Sequence, residues 1–211
     1  MNERQISEKE SLAIIEEMIC RTRRRLDIGA GNQMLLWGYL TLGVAVLTTA
    51  AIIFLRTPHA NWLWFLLPAI GYPICYRMRR RRRNACTPVT YVDLISAGLW
   101  RAVGGAAVIG SLLCGGFMAA GHNAWSVMLI FSFVIIGFAT VAQGVIIREN
   151  SLVAGGMFGL TAGGFVACCA VCGLPLRAAW FLPLYGAAFV AMMIVPGHIL
   201  NRKAKRSCPK N

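Results

Sequence analysis

Acidic side chains are scarce in this 211-residue chain: eight, against 21 lysines and arginines, and none lies inside a long apolar stretch. Charge of either sign is thin, at 14% of residues, where a soluble domain carries about 25%. That deficit excludes an ordinary water-soluble domain. A proton relay inside a membrane needs a carboxylate, histidine or basic residue within the spans. None stands in the middle of an apolar block here, so proton-coupled transport is disfavoured. Gln143 is the most polar group there, and a lone glutamine reads as an interhelical hydrogen bond. The three histidines, His59, His122 and His198, do not converge with the cysteines at one depth, so no metal site is expected. A G-x-S-G motif is missing too. Ser132 and His198 would differ in depth by about 15 Å or more at ~1.5 Å per residue, which excludes an intramembrane serine protease.

What fills the chain instead is apolar: 57% of residues are hydrophobic and the mean hydropathy is +0.62. Six blocks stand out, at about 34–55, 62–76, 102–120, 125–147, 151–172 and 180–200. Most approach the ~20 residues that cross ~30 Å of hydrocarbon. Without water in that layer the backbone must bond within each segment, so the blocks are expected to be helices. The second block is the shortest and carries Pro68 and Pro73, which suit a short kinked span extended through His59–Asn61, or a re-entrant element; the span is favoured because the flanking charges then fall correctly. With the N-terminus in the cytoplasm, nineteen basic residues fall on that side and only Arg56 and Arg177 on the other. All eight acidic residues also fall on the cytoplasmic side. The expected fold is therefore an all-α, polytopic inner-membrane protein: six transmembrane helices as three hairpins, with N- and C-termini cytoplasmic. Residues 1–33 form a cytoplasmic amphipathic helix and linker, 34–200 the six-helix domain, and 201–211 a basic cytoplasmic tail. The run Arg77, Arg79, Arg80, Arg81, Arg82 and Arg83 reads as a topological stop that also binds anionic lipid headgroups. No aromatic platform interleaves it, which speaks against nucleic acid. The first apolar block starts too late and is too long for a secretory signal peptide, so the N-terminus is expected to be retained.

Ahead of the first span, "SEKESLAIIEEMICRTRRRL" has Ser7 and Glu10 at capping-box spacing. Leu12, Ile15, Ile19 and Leu26 recur at helical spacing as one apolar stripe, suited to the inner interface or to a partner helix. The breaker "IGAGN" is expected to end this helix before the membrane. "ESLAIIEEMI" followed by "LLWGYL" resembles the opening of small uncharacterised multi-spanning bacterial membrane proteins. In those, an amphipathic N-terminal helix precedes a Leu-Leu-Trp-Gly first span. The resemblance covers about the first 45 residues and implies a bacterial inner membrane, but no activity.

Gly155, Gly159 and Gly163 lie four apart in the fifth block, and Ala106 and Gly110 continue a similar stripe in the third. Such faces admit a neighbouring backbone, which predicts a compact bundle with these two helices central. The outer loops "HANW", "HNAW" and "RAAW" each end in tryptophan. Trp37, Trp62, Trp100, Trp125 and Trp180 read as interfacial anchors. Cys169 and Cys172, with Cys168 beside them, form a C-x-x-C at the outer end of the fifth block, where thiol–disulfide exchange needs two thiols within reach. The spacing resembles that of quinone-linked disulfide-forming membrane enzymes, although an outer-loop second pair is missing. Taken together, these features lead to the expectation of a non-enzymatic regulatory or scaffolding partner acting through its N-terminal helix and arginine loop. A thiol–disulfide oxidoreductase and a small-solute transporter or channel are the alternatives. No cofactor is expected. The expected partners are the lipid bilayer with its anionic headgroups and a cytoplasmic protein or second copy of the chain, not nucleic acid.

Overall fold

The computed structural model describes residues 8–55, 58–83, 91–122 and 124–206; for 8–30, 55, 58, 59, 79, 81–83, 204 and 206 the description extends to the backbone. All described elements are helical. Helix α1 runs Glu8–Leu55, and a 3-10 helix, Pro58–Phe65, leads into α2, Leu66–Arg83. Then come α3 (Tyr91–Ala119), α4 (Trp125–Ile147), α5 (Asn150–Val171) and α6 (Ala178–Phe189). A π-helical turn, Val190–Ile194, joins α6 to α7 (Val195–Arg206). Five segments are long and apolar enough to cross a membrane: Gly31–Phe54, Tyr91–Ala119, Trp125–Ile147, Asn150–Val171 and Ala178–Lys203. The protein is a multi-pass membrane protein by this measure. The sequence block at 62–76 is not a single span-length helix. It is divided between the 3-10 segment and α2, and α2 ends in arginines.

Prolines explain both departures from regular α-winding. Pro68 has no N–H to give the Trp64 carbonyl, and its ring crowds that carbonyl. The chain before it winds more tightly, with i→i+3 bonds. Pro196 cannot bond the Met192 carbonyl for the same reason. Here the helix widens rather than breaks, and the Val195 N–H reaches back five residues to the Val190 carbonyl. The helix thus passes Pro196 as a continuous rod, with a π-turn just ahead of it. Three reversals share one closing motif, in which the residue after the left-handed position bonds back five positions. His122 N–H reaches Phe117 O at 2.9 Å, Glu149 reaches Gly144 at 2.8 Å and Leu174 reaches Cys169 at 2.9 Å. The left-handed position is glycine in two of them, Gly121 and Gly173, and Arg148 in the third. Arginine there forgoes glycine's freedom but sets a cation against the negative end of the α4 dipole.

Contacts define two ends of the bundle. At one, Met34, Leu152 and Leu200 cluster with Trp100 and Ile147. At the other, Trp62 meets Trp125 edge to face at 5.8 Å, and Trp64 meets Tyr185 at 5.2 Å. Lys203, Arg202, Arg148, Glu149, Arg101 and Asp93 lie toward the first end and Arg177 toward the second, so the first is called the basic end below.

Glycine decides which helices are close. A Cβ on Gly156 would stand 2.7 Å from the Val141 backbone nitrogen, and one on Gly137 would stand 3.2 Å from the Gly156 carbonyl oxygen. The opposite face of α5 takes the π-turn: side chains on Gly155 or Gly159 would strike the Ala191 carbonyl or the Met192 thioether. Gly163 faces Phe133. The expected pairing of α3 with α5 as central helices is half right. α5 is central, but α3 is peripheral, with 11% of its apolar window buried against 44% for α5. Its small-residue stripe is used once, where Gly110 takes the Phe131 ring of α4. Ala106 is only half-buried, and Ile109, Leu112 and Phe117 face outward.

The expected break at "IGAGN" does not occur: α1 passes through it without interruption. A glycine costs a helix only about 1 kcal/mol, and here its missing side chain is used. Gly31 lies against Asn201 and the Gly197 carbonyl, and Asn201 Nδ2 donates to Asn32 Oδ1 at 2.9 Å. The segment is a contact surface for α7. Gly156→Val should lower the detergent-solubilised melting temperature by about 5–10 °C, the effect of overpacking by about 2–3 kcal/mol. Gly164→Val, at a position with no neighbour within 4 Å, should change it by no more than a degree or two. Equal shifts would mean that α5 is not held by its glycines.

Candidate functional site

Three features of the bundle have the chemistry to act: the charged cap of the basic end, a polar pair in the core, and a cavity beside α1. In the cap, Lys203 Nζ donates to both oxygens of Glu149, at 2.8 and 2.9 Å, and Ser151 Oγ donates to Oε1 at 3.0 Å. The Glu149 side chain is 12% exposed and that of Lys203 58%. Burial pushes the carboxyl pKa up, but the Lys203 and Ser151 hydrogen bonds and the ammonium charge outweigh it. The net direction is below the ordinary 4.5. A carboxyl lowered by folding stabilises the fold above its unfolded pKa, and loses that contribution as pH falls through the folded value. Wild-type protein should therefore lose thermal stability on acidification below about pH 4.5 more steeply than Glu149→Gln. The difference should be small, a few degrees at most, because Lys203 is solvated. Parallel pH profiles would remove Glu149 as the source.

In the core, Ser132 Oγ donates its single proton to the Leu129 carbonyl at 2.7 Å. The Tyr185 hydroxyl, 2.7 Å away, must then be the donor of their shared bond. Tyr185 is 2% exposed and contacts Phe133 at 4.8 Å and Phe189 at 4.7 Å between ring centroids. His198 is committed elsewhere, with Nε2 2.7 Å from the Tyr39 hydroxyl. Ser132 and His198 therefore do not meet. Ser132→Ala strands a buried hydroxyl and should cost about 1–3 kcal/mol, whereas Tyr185→Phe should cost about 1. The double variant should be more stable than Ser132→Ala alone, as read from thermal unfolding; a lower value would discard the assigned donor direction.

The cysteines occupy the last turn of α5. Cys169 is buried, Cys168 and Cys172 are exposed, and Cys114 is buried in α3; all four are free thiols. Cys172 N–H bonds the Cys168 carbonyl and Leu174 N–H the Cys169 carbonyl, so this stretch closes the helix. The pair sits at the C-terminal end of the helix, where the dipole gives a thiolate no help. Gln143 Nε2 donates to Ser96 Oγ at 3.0 Å and ties α4 to α3. Trp62, Trp125 and Trp180 gather at the end opposite the basic one, with Trp180 Nε1 on the Pro175 carbonyl at 3.3 Å. The side chains of Leu12, Ile15, Ile19, Leu26, Arg79, Arg81, Arg82 and Arg83 lie outside the described residues. Arg77 and Arg80 are exposed.

Trp37 and Trp100 are put to another use. Together with Tyr72 and Tyr76 of α2, Val103 and Gly104 of α3, and Phe189 and Met193 of the Ala178–Lys203 span, they line a cavity of about 380 Å³ in the basic half of the bundle. Gln33, Thr41, Cys75 and Ile136 complete its wall. Trp37 stacks under Gly71 and meets Tyr72 edge to face at 5.8 Å. α2 packs on α1 and α3 packs on α4, so these chain neighbours diverge and leave the space between them. No residue of this cavity except the two tryptophans was singled out by sequence pattern. Trp64, 4% exposed in the core, was likewise missed. Two residues from the exposed Trp62, it falls on the opposite side of the helix.

No protein-family model, curated protein or solved structure matches this chain.

Proposed function

We propose that the protein is a non-enzymatic regulatory or scaffolding component of a bacterial inner membrane, crossing it six times with both termini in the cytoplasm. One observation carries the role: α1 is a single helix from Glu8 to Leu55. At ~1.5 Å per residue, residues 8–30 extend about 35 Å ahead of the first apolar span. A rod that continues into the membrane moves as one piece with its outer arm. A protein that binds the arm would tilt the first span against α7, where Gly31, Asn32 and Tyr39 meet Gly197, Asn201 and His198. The arm's stripe, Leu12, Ile15, Ile19 and Leu26, supplies the apolar anchor for such a partner.

The sixth crossing is assigned to residues 58–76. Eight residues at about 2.0 Å and eleven at about 1.5 Å give roughly 32 Å, enough for the hydrocarbon layer. Trp62 and Phe65 contact Trp125 at one end, while Tyr72, Cys75 and Tyr76 lie beside Gln33 and Trp100 toward the other. The concentration of arginine and lysine at the basic end supports its cytoplasmic placement. Single cysteines placed at Arg80 and Lys205 in a cysteine-free background should resist an impermeant maleimide in whole cells, and one at Arg177 should react. Labelling of Arg80 alone would remove the crossing at 58–76. Deleting residues 8–27 should abolish co-purification of a cytoplasmic protein without shifting the melting temperature of the bundle; undiminished co-purification would refute the role of the arm.

A further inference from the structure

We propose that the cavity between α2 and α3 is a site for one anionic phospholipid, with an acyl chain inside and the phosphate on Arg80 and Arg101 at its basic-end mouth. This rests on the bundle being membrane-embedded, but not on its sidedness or on a partner for the arm. The volume of about 380 Å³ lies within the ~300–1,000 Å³ of small-molecule sites. The wall is largely aromatic and aliphatic, and Tyr72 and Tyr76, 49% and 67% exposed, leave it open at the side. Across that opening Tyr72 Oη reaches toward Gly104, 3.6 Å from where a Cβ would be. A side-opening apolar cavity in hydrocarbon is filled most readily by a lipid chain.

The charges select which lipid. Tyr72, Tyr76 and Arg80 are four apart on α2 and so share its cavity face; Arg101 and Gly104, three apart, share that of α3. α2 runs toward the basic end and α3 away from it, so Arg80, one turn past Tyr76, and Arg101, next to the lining Trp100, stand on the same side of the mouth. Arg101 Nε donates to the Ala97 carbonyl at 3.2 Å, leaving its terminal amino groups for a phosphate. A free phosphate ion would engage the same two arginines, but would gain nothing from the cavity.

The full chain, purified in mild detergent and exposed to equal amounts of phosphatidylglycerol and phosphatidylcholine, tests this by native mass spectrometry. One phosphatidylglycerol should be retained per protein. Arg80→Gln with Arg101→Gln should reduce that retention about thirtyfold, at roughly 1 kcal/mol per arginine, and lysine at both positions should restore most of it. Val103→Trp or Gly104→Leu, which fill the cavity, should reduce retention of both lipids, with elution as a folded particle confirmed for each. Undiminished retention by both filled variants, or equal preference for the two lipids, would overturn the proposal in favour of loose surface lipid. Displacement by millimolar inorganic phosphate would overturn it in favour of a simple anion site. A chain that stays soluble without detergent would instead sink the membrane reading itself.

Discussion

The bundle depends on two backbones meeting where one of them has lost its regular winding. The carbonyl of Ala191, in the π-turn, points where α5 has Gly155, and the Met192 side chain lies where α5 has Gly159. Lipid tails are as apolar as leucine, so helices in a membrane gain little from hiding apolar surface. They associate by close packing and by hydrogen bonds. A bulge admitted by glycines offers such packing over several turns. It also accommodates Pro196, whose missing N–H would otherwise leave a buried carbonyl to be satisfied. The same turn carries Met193 toward the cavity and Ile194 against Gly38 of α1. One irregularity thus sets the positions of α1, α5 and one wall of the candidate site.

Electrostatics is layered on this packing rather than mixed into it. Hydrogen bonds within the apolar layer are neutral: Ser132 with Tyr185, Gln143 with Ser96, and Thr140 with the Ile136 carbonyl. Charge is confined to the caps, where the Lys203–Glu149 pair joins the α4–α5 turn to the last helix. That separation also places cations near the mouth of the apolar cavity beside α1.

Much of the architecture was legible in the amino-acid order. Five apolar blocks became helices, because a chain in hydrocarbon has no alternative backbone partner; three kept close to their expected bounds, while α1 and α3 begin well before theirs. Gly121 and Gly173 mark reversals, and the Gly155–Gly163 face marks close contact. One reading failed because glycine was taken as a stop. In "IGAGN", Gly31 is a meeting point with α7, and at Pro196 the helix widens and continues. Local sequence shows that these residues relax the helix; it does not show whether a neighbour uses the slack.

The order of residues alone determined that the chain is helical and membrane-bound, and that its charge is gathered in clumps between apolar blocks. These follow from local composition and from the cost of an unbonded peptide group in lipid. Tertiary structure decided that α3 stands at the periphery while α5 is central, though both carry small-residue stripes. It decided that α1 is one rod, and that Trp37 and Trp100 share a cavity with Tyr72 and Tyr76. Those outcomes depend on which surfaces find each other across long stretches of chain, and helical periodicity records a face without recording what the face meets.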